Sequence, residues 1–193
     1  MKNYKKNLEL LSKNHVYSKE MEHDACGVGL IASTDGKKSR DIVEYGIEAL
    51  KAVWHRGAVD ADGKTGDGAG IHVEIPKDFF IEKIEVTGHD YDNSEICVGM
   101  IFLPKNDYSA QENCKTIVES ELTKNNFSIY GWRQVPVNPK VLGEKALLTM
   151  PEIIQVLFKS NDPNLLDKKL ERKIYETRKR IENKAFDASL NNF

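Results

Sequence analysis

The fold prediction starts from residues 24–32, which read Asp24-Ala25-Cys26-Gly27-Val28-Gly29-Leu30-Ile31-Ala32. From Cys26 onward its side chains alternate between two faces, which is the periodicity of a β-strand. Gly27 and Gly29 leave one face nearly bare beside the cysteine, and a glycine in a strand often marks close approach by a ligand or another backbone. The pattern predicts a strand over residues 26–33, preceded by the polar residues 1–25.

Cys26 has two interpretations. If the chain is cut after Ala25, Cys26 gains a free α-amine, and the usual α-amine pKa of about 8 leaves a useful fraction neutral near pH 7. That amine can take the thiol proton, so nucleophile and base lie on one residue. The alternative is a small buried core residue, which is the usual fate of a free cysteine. This stretch alone favours the alternative.

Length and composition limit the possible classes of protein. The 193 residues suit one domain, or one domain with an extension, and the net charge of -2 gives no reason to expect nucleic-acid or membrane partners. No apolar run approaches the roughly 20 residues that span a bilayer. Three cysteines without C-x-x-C spacing favour neither a disulfide framework nor a metal site, and they fit a reducing compartment. We therefore expect a cytoplasmic protein without a metal centre.

Periodicity and capping residues predict the other elements. Strand patterns cover 71–75, 96–103, 127–137 and 152–158, the run at 96–103 being apolar enough for a well-buried strand. A turn is expected at 33–36, and helices are expected from Ser39 to about His55, over 77–85, from a capping box at Ser109 to about Asn125, and from Asp162 to about Lys184. This interleaved order predicts a layered α/β or α+β domain.

Residues 55–70 have the least ordinary composition, five glycines and three aspartates after a His-Arg pair. A phosphate loop is rejected because it requires a glycine at position 58, where this chain has Ala58. A calcium loop starting at Asp60 is rejected because its sixth and twelfth positions hold Thr65 and Ile71. Two interpretations stay open: a structural turn, and a glycine-lined pocket wall that places Arg56 near a substrate carboxylate.

Two motifs together resemble one family. The run Ala25-Cys26-Gly27-Val28-Gly29 is followed by Trp54-His55-Arg56-Gly57-Ala58 and by the glycine-rich run from Asp60 to Gly70. This combination resembles the class II glutamine amidotransferases, in particular the domain at the N-terminus of glutamate synthase large subunits. Later stretches at 131–137, 150–151 and 171–180 agree, so the resemblance runs from about Met21 to about Phe186.

The resemblance implies an α+β fold of the N-terminal-nucleophile (Ntn) hydrolase type. Such a fold is a four-layer αββα sandwich, expected to be incomplete at the C-terminus of this chain. The resemblance also implies a pro-segment at residues 1–25 and the N-terminal part of an amidotransferase domain at residues 26–193. Cys26 would be the catalytic nucleophile with its α-amine as base, and Arg56, Gly57 and His55 would form the substrate pocket.

The implied reaction is hydrolysis of L-glutamine through a Cys26 thioester, with the ammonia passed to 2-oxoglutarate in the remainder of the large subunit. FMN and an iron–sulfur cluster belong to that remainder, so no cofactor is expected in this segment. The small subunit is a further expected partner, whereas nucleic acid and membrane are not.

The resemblance leaves two alternatives open. The family residues that bind the glutamine carboxylate, oxyanion and amine come after this chain, and losing one oxyanion donor typically costs roughly 100- to 1,000-fold in rate. The isolated chain is therefore expected to be nearly inactive, and it could act only as a binding or assembly piece. The other alternative is a different class II amidotransferase, against which the Gly63–Gly70 run and the long leader argue.

Overall fold

The computed structural model describes residues 27–54, 57–66 and 68–190. The chain divides into two compact units, the first formed by residues 1–58 and 66–71 and the second by residues 59–65 and 72–193. Three residues that the sequence analysis singles out, Cys26, His55 and Arg56, lie outside the described residues.

Helix α1 (Arg40–Ala52) belongs to the first unit. It begins where the sequence predicts, because the Ser39 side chain accepts the N–H of Ile42 at 3.4 Å and so satisfies one free donor of the first turn. Asp41 in the first turn and Lys51 in the last oppose the helix dipole. The helix ends before His55, however, and no residue of its apolar face is fully buried.

Two predicted strands are wrong for the residues described. Residues 27–33 and 71–75 have no regular secondary structure, and Val28 and Leu30 are 93% and 90% exposed. The period-2 pattern of side chains is present in both, but a strand also needs a neighbour that pairs its backbone N–H and C=O groups. Neither segment is paired in a sheet with any described residue. The predicted turn at 33–36 is confirmed, with the Gly36 N–H donating to the Ser33 carbonyl at 3.4 Å.

The second unit contains a three-stranded antiparallel sheet in the order β1-β3-β2. The strands are β1 (Cys97–Leu103), β2 (Phe127–Gln134) and β3 (Glu152–Ser160). They confirm the strands predicted at 96–103, 127–137 and 152–158, although β2 ends three residues before Val137. Together with the helices, this antiparallel sheet confirms the α+β class.

Helices cover the two faces of this sheet unequally. Because side chains alternate along β3, Val156 and Phe158 face helices α3 (Tyr108–Lys124) and α5 (Asp167–Asp187), whereas Leu157 faces α2 (Lys77–Val86). The first face carries the larger core, made of Cys97, Val118, Leu122, Phe127, Val156, Phe158 and Leu170. Strand β1 was predicted to be well buried, but it is only partly buried. Met100 and Phe102 are about half exposed, because α2 does not cover the part of the second face where they lie.

Two helix starts differ from prediction. Helix α3 begins after Asp107 rather than at Ser109, because the Asp107 carboxylate accepts the Ala110 N–H at 2.9 Å. Asp162 closes a turn instead of capping a helix: its carboxylate accepts the Asn164 N–H at 2.9 Å and its carbonyl accepts the Leu165 N–H at 3.1 Å. Helix α5 therefore starts five residues later, at Asp167. No helix of the described segments is long and apolar enough to cross a bilayer.

The link between β2 and β3 contains elements that periodicity does not predict. A 3-10 turn (Pro139–Val141) and the short helix α4 (Glu144–Thr149) lie between these strands. Neither element has a fully buried residue, so no apolar face marks them in the sequence. They bring Gly143 and Lys145 next to the glycine-rich stretch, within the second unit.

Candidate substrate-binding loop

Gly57, in the glycine-rich stretch, is the one predicted pocket residue that the structure describes. Its N–H donates to the Trp54 carbonyl at 3.0 Å and turns the chain soon after α1. At Gly66, a Cβ atom would lie 2.8 Å from the Ala58 carbonyl oxygen, a contact too short for any residue but glycine. Gly57 and Gly66 therefore serve the shape of the backbone, while the pocket roles of Cys26, His55, Arg56 and Gly57 stay predictions.

The tip of the stretch, residues 59–65, is a closed turn. The Asp60 N–H donates to the Thr65 carbonyl at 2.7 Å, and the Gly63 N–H donates back to the Asp60 carbonyl at 2.9 Å. Between them the Asp62 carboxylate accepts the N–H groups of Lys64 at 2.9 Å and Thr65 at 2.7 Å, together with the Thr65 hydroxyl. The Thr65 hydroxyl and then these two amides stabilise the charged form, so the pKa of Asp62 lies well below its usual value.

Helix α4 and the residue before it support this tip. Lys145 Nζ lies 2.6 Å from Asp60 Oδ2. Gly143 lies so close to the turn that a Cβ atom there would overlap the Thr65 hydroxyl and the Asp62 carboxylate. Gly143 and Lys145 cannot be identified from the sequence, because residues about 80 positions from the loop carry no local pattern that points to it.

The β2 residues that share the family motif are held by structural contacts. Trp132 Nε1 donates to Glu119 Oε1 at 2.7 Å, and Arg133 Nη1 donates to Gln155 Oε1 at 2.6 Å. The Arg133 guanidinium also lies 5.1 Å from the ring centroid of Phe79. These contacts join β2 to its neighbours. They give Trp132 and Arg133 structural roles that require no part in the chemical reaction.

An open groove of about 310 Å³ lies elsewhere in the second unit, where β1 ends. Its polar lining includes Lys105, Lys115, Gln134 and Glu152. Lys115 is paired with Glu112 at 2.8 Å, and Gln134 donates to Glu152. The groove lining does not include Gly57 or the 59–65 tip, so it is separate from the candidate loop.

Two of the three cysteines lie among the described residues. Cys97 and Cys114 are buried, and burial raises the pKa of Cys97 to about 12. Among the described residues, no three His, Cys, Asp or Glu side chains are grouped closely enough to hold a metal ion.

Comparison with known proteins gives consistent matches. The family of glutamine amidotransferases class-II matches residues 26–192. The chain is similar to the glutamate synthase [NADPH] large chain of Azospirillum brasilense, 50% identical over 190 residues, which are 98% of this chain and 12% of that protein. It is also 40% identical over 174 residues to the ferredoxin-dependent glutamate synthase of Pyropia yezoensis, covering 90% of this chain and 11% of that protein. The chain thus spans about a tenth of the length of these relatives.

Proposed function

The chain belongs to the class II glutamine amidotransferases, and we propose on that premise that it is the glutamine-hydrolysing part of a glutamate synthase. The observation that carries the proposal is the family match over residues 26–192, which begins at Cys26. The fold of this family is the Ntn hydrolase fold, and the antiparallel sheet with its helices agrees with it. The start of the match also supports a pro-segment at 1–25 and a domain from residue 26.

The proposed chemistry needs one residue as nucleophile and base. After removal of residues 1–25, the α-amine of Cys26 takes the thiol proton, and the thiolate attacks the amide carbon of glutamine. The C–N bond breaks, ammonia leaves with that proton, and a γ-glutamyl thioester remains on Cys26. Water then attacks the thioester and releases glutamate, so one glutamine and one water give one glutamate and one ammonia.

The proposed pocket uses the residues that follow α1. Arg56 lies in this pocket near the substrate, where a guanidinium suits a polar, acidic ligand, and the glutamine carboxylate itself is bound by the residues that the resemblance places further along the family's domain. His55 and Gly57 form the wall beside it, where the absent side chain of glycine lets the substrate approach the backbone. The close backbone approach between Ala58 and Gly66 supports a stretch built for shape.

The partners are proposed from the relatives. Those relatives are glutamate synthases roughly eight to ten times longer than the matched segment, so we propose that this chain acts with the rest of a large subunit and with a small subunit. Ammonia would pass to 2-oxoglutarate there, with FMN and the iron–sulfur cluster in that remainder. A cytoplasmic location goes with this proposal and is supported by the two described cysteines, which are free thiols.

Trapping the thioester tests the proposal directly. Because the isolated chain is expected to be nearly inactive, the chain assembled with the rest of the large subunit is mixed with glutamine, quenched with acid and weighed by mass spectrometry. One γ-glutamyl group on Cys26, absent in Cys26→Ala and present in the matched control Cys97→Ala, is expected. A chain that begins at Cys26 and carries no adduct contradicts the glutaminase proposal and favours a piece used only for binding or assembly. A different class II amidotransferase is separated by adding 2-oxoglutarate and an electron donor, reduced nicotinamide cofactor or reduced ferredoxin, to the assembled enzyme and measuring glutamate in excess of hydrolysis.

A further inference from the structure

We propose that the outward face of helix α5 binds the same face of a second copy of this chain, with the two helices antiparallel. Helix α5 is the longest described helix, 21 residues within the second unit. Its inward side packs on the larger core through Leu170, Ile174 and Ile181. Its outward side is exposed, so a second copy of the chain can reach it.

The outward residues form a single stripe along α5. They follow one another at alternating intervals of four and three positions, which places them on one side of an α-helix. The same alternation forms the contact line between the two helices of a coiled coil. All six are exposed, and together they are called the α5 stripe: Lys168, Arg172, Tyr175, Lys179, Glu182 and Phe186.

The α5 stripe is complementary to its own reversed copy. In a symmetric dimer, when one residue contacts a second residue of the other copy, the reciprocal contact also forms. Thr177 is the midpoint of α5, and Arg172 and Glu182 lie five residues to either side of it. An antiparallel pair centred on Thr177 therefore places Arg172 of each copy opposite Glu182 of the other. The same centre places Tyr175 opposite Lys179.

Arg172 and Glu182 can form this contact while they keep their partners on the same helix. Arg172 Nε lies 2.9 Å from Glu176, and Arg178 Nε lies 3.0 Å from Glu182. An ionised carboxylate has about four acceptor positions, and a guanidinium has five N–H donors. Glu182 can thus accept from Arg172 of the second copy in addition to Arg178.

The aromatic residues of the α5 stripe meet lysines in the same arrangement. Tyr175 is 54% exposed and Phe186 is 75% exposed, and Phe186 lies opposite Lys168 in the antiparallel pair. A lysine ammonium is attracted to the face of an aromatic ring, and the lysine stem covers apolar surface. Each lysine can therefore shield a ring of the second copy from water.

The pattern of charges also determines the direction of the second helix. A parallel symmetric pair would place each residue opposite its own equivalent, so that Arg172 would face Arg172 and Lys179 would face Lys179. Like charges in such positions repel each other. The antiparallel arrangement replaces these repulsions with contacts between opposite charges. Because most of the α5 stripe is charged, the dimer should be weak and should form only at high protein concentration.

Sedimentation equilibrium of the whole chain tests the proposal. Wild type should show a reversible monomer–dimer equilibrium whose dissociation constant rises with salt. Arg172→Glu and Glu182→Arg should each raise that constant about tenfold or more, because two attractive contacts become repulsive in every symmetric dimer. Arg180→Glu makes the same change of charge on α5 outside the α5 stripe, and it should change the constant far less.

An equal mixture of Arg172→Glu and Glu182→Arg gives a sharper test. In a mixed dimer, Glu at position 172 meets Glu at position 182 in neither contact, because each contact again joins a glutamate to an arginine. The mixture should therefore recover the dimer that each variant alone loses. Loss of helix stability in a single variant cannot produce this recovery, and the Tm of each variant is measured by circular dichroism.

Phe186→Ala keeps the charges of α5 and removes an exposed ring, so it should fold like wild type and raise the dissociation constant about threefold to tenfold. A wild-type chain that stays monomeric up to about 1 mM contradicts the proposal. A dimer that neither the charge reversals nor Phe186→Ala weakens, or folded variants whose mixture stays monomeric, also contradicts it.

Discussion

At the scale of single residues, the three cysteines differ in what surrounds them. Cys97, the first residue of β1, lies in the larger core, where burial raises its pKa to about 12, and burial also raises the pKa of Cys114. The thiolate is the reactive form, so both thiols should be nearly inert at pH 8. Cys26, with its α-amine freed, is expected to be the reactive thiol.

This contrast predicts the pattern of alkylation. Iodoacetamide at pH 8 should add one group to the native chain, at Cys26, and three groups after unfolding in guanidinium. Peptide mass mapping locates the group, and Cys26→Ala should remain unlabelled until it unfolds. Labelling of native Cys97 as fast as Cys26 would contradict the burial argument.

Gly143 gives a second prediction at this scale. A methyl group there overlaps the Thr65 hydroxyl and the Asp62 carboxylate, and overpacking typically costs about 1 to 3 kcal/mol. Gly143→Ala should therefore lower the free energy of unfolding by about that amount or open the turn, which faster amide hydrogen exchange at Lys64 and Thr65 would reveal. Gly68→Ala is the control, because a Cβ atom at Gly68 meets nothing within 4 Å. Equal stability and equal exchange in both variants would show that the turn does not rest on Gly143.

At the scale of elements, α3 and α5 are joined by a carboxylate with little contact with water. Glu121 on α3 is 4% exposed and accepts a hydrogen bond from Lys184 on α5, with Lys124 Nζ 3.6 Å away. The hydrogen bond from Lys184 is the main reason that the pKa of Glu121 is lowered in the folded chain. A lowered pKa means that the folded state favours the ionised form more than the unfolded state does.

Glu121 makes the free energy of unfolding depend on pH. Stability from Glu121 is present above its ordinary pKa of 4.5 and is lost as the pH falls through the lower folded-state value. Glu121→Gln should lower the free energy of unfolding at pH 7 by about 1 to 2 kcal/mol, which is less than for a fully buried pair because Lys184 is partly exposed. The variant should also lose less stability than wild type as the pH falls below 4.5. Urea unfolding from pH 7 to pH 3 measures both effects. Glu112→Gln, at an exposed pair, serves as control, and identical pH curves for wild type and Glu121→Gln would contradict the account.

Elements governed by local signals could be predicted from the sequence. Ser39 caps α1 and a short run rich in Ile and Val marks β3, because capping and short apolar runs are signals carried by a few neighbouring residues. The segments at 27–33 and 71–75 show the limit, since a strand pattern does not supply the partner strand. Asp162 shows another limit, because the same carboxylate that can cap a helix can close a turn.

For the molecule as a whole, the sequence motifs identify the family, and the structure adds the contacts that hold the loop. The spacing of Cys26 and Arg56 predicted a family that the match over residues 26–192 confirms. The contacts of Lys145 and Gly143 with the loop could not be predicted, because they join positions about 80 residues apart and leave no periodic trace. The predicted nucleophile and most of the predicted pocket lie outside the described residues, so their test is chemical.

The processed nucleophile is best tested by the intact mass of the purified chain before and after exposure to a glutamine-like diazoketone. We expect a chain that begins at Cys26 and gains one label, with no label on Cys26→Ala. A chain that keeps residues 1–25 and gains no label would contradict the claim that this chain carries a processed, glutamine-specific nucleophile.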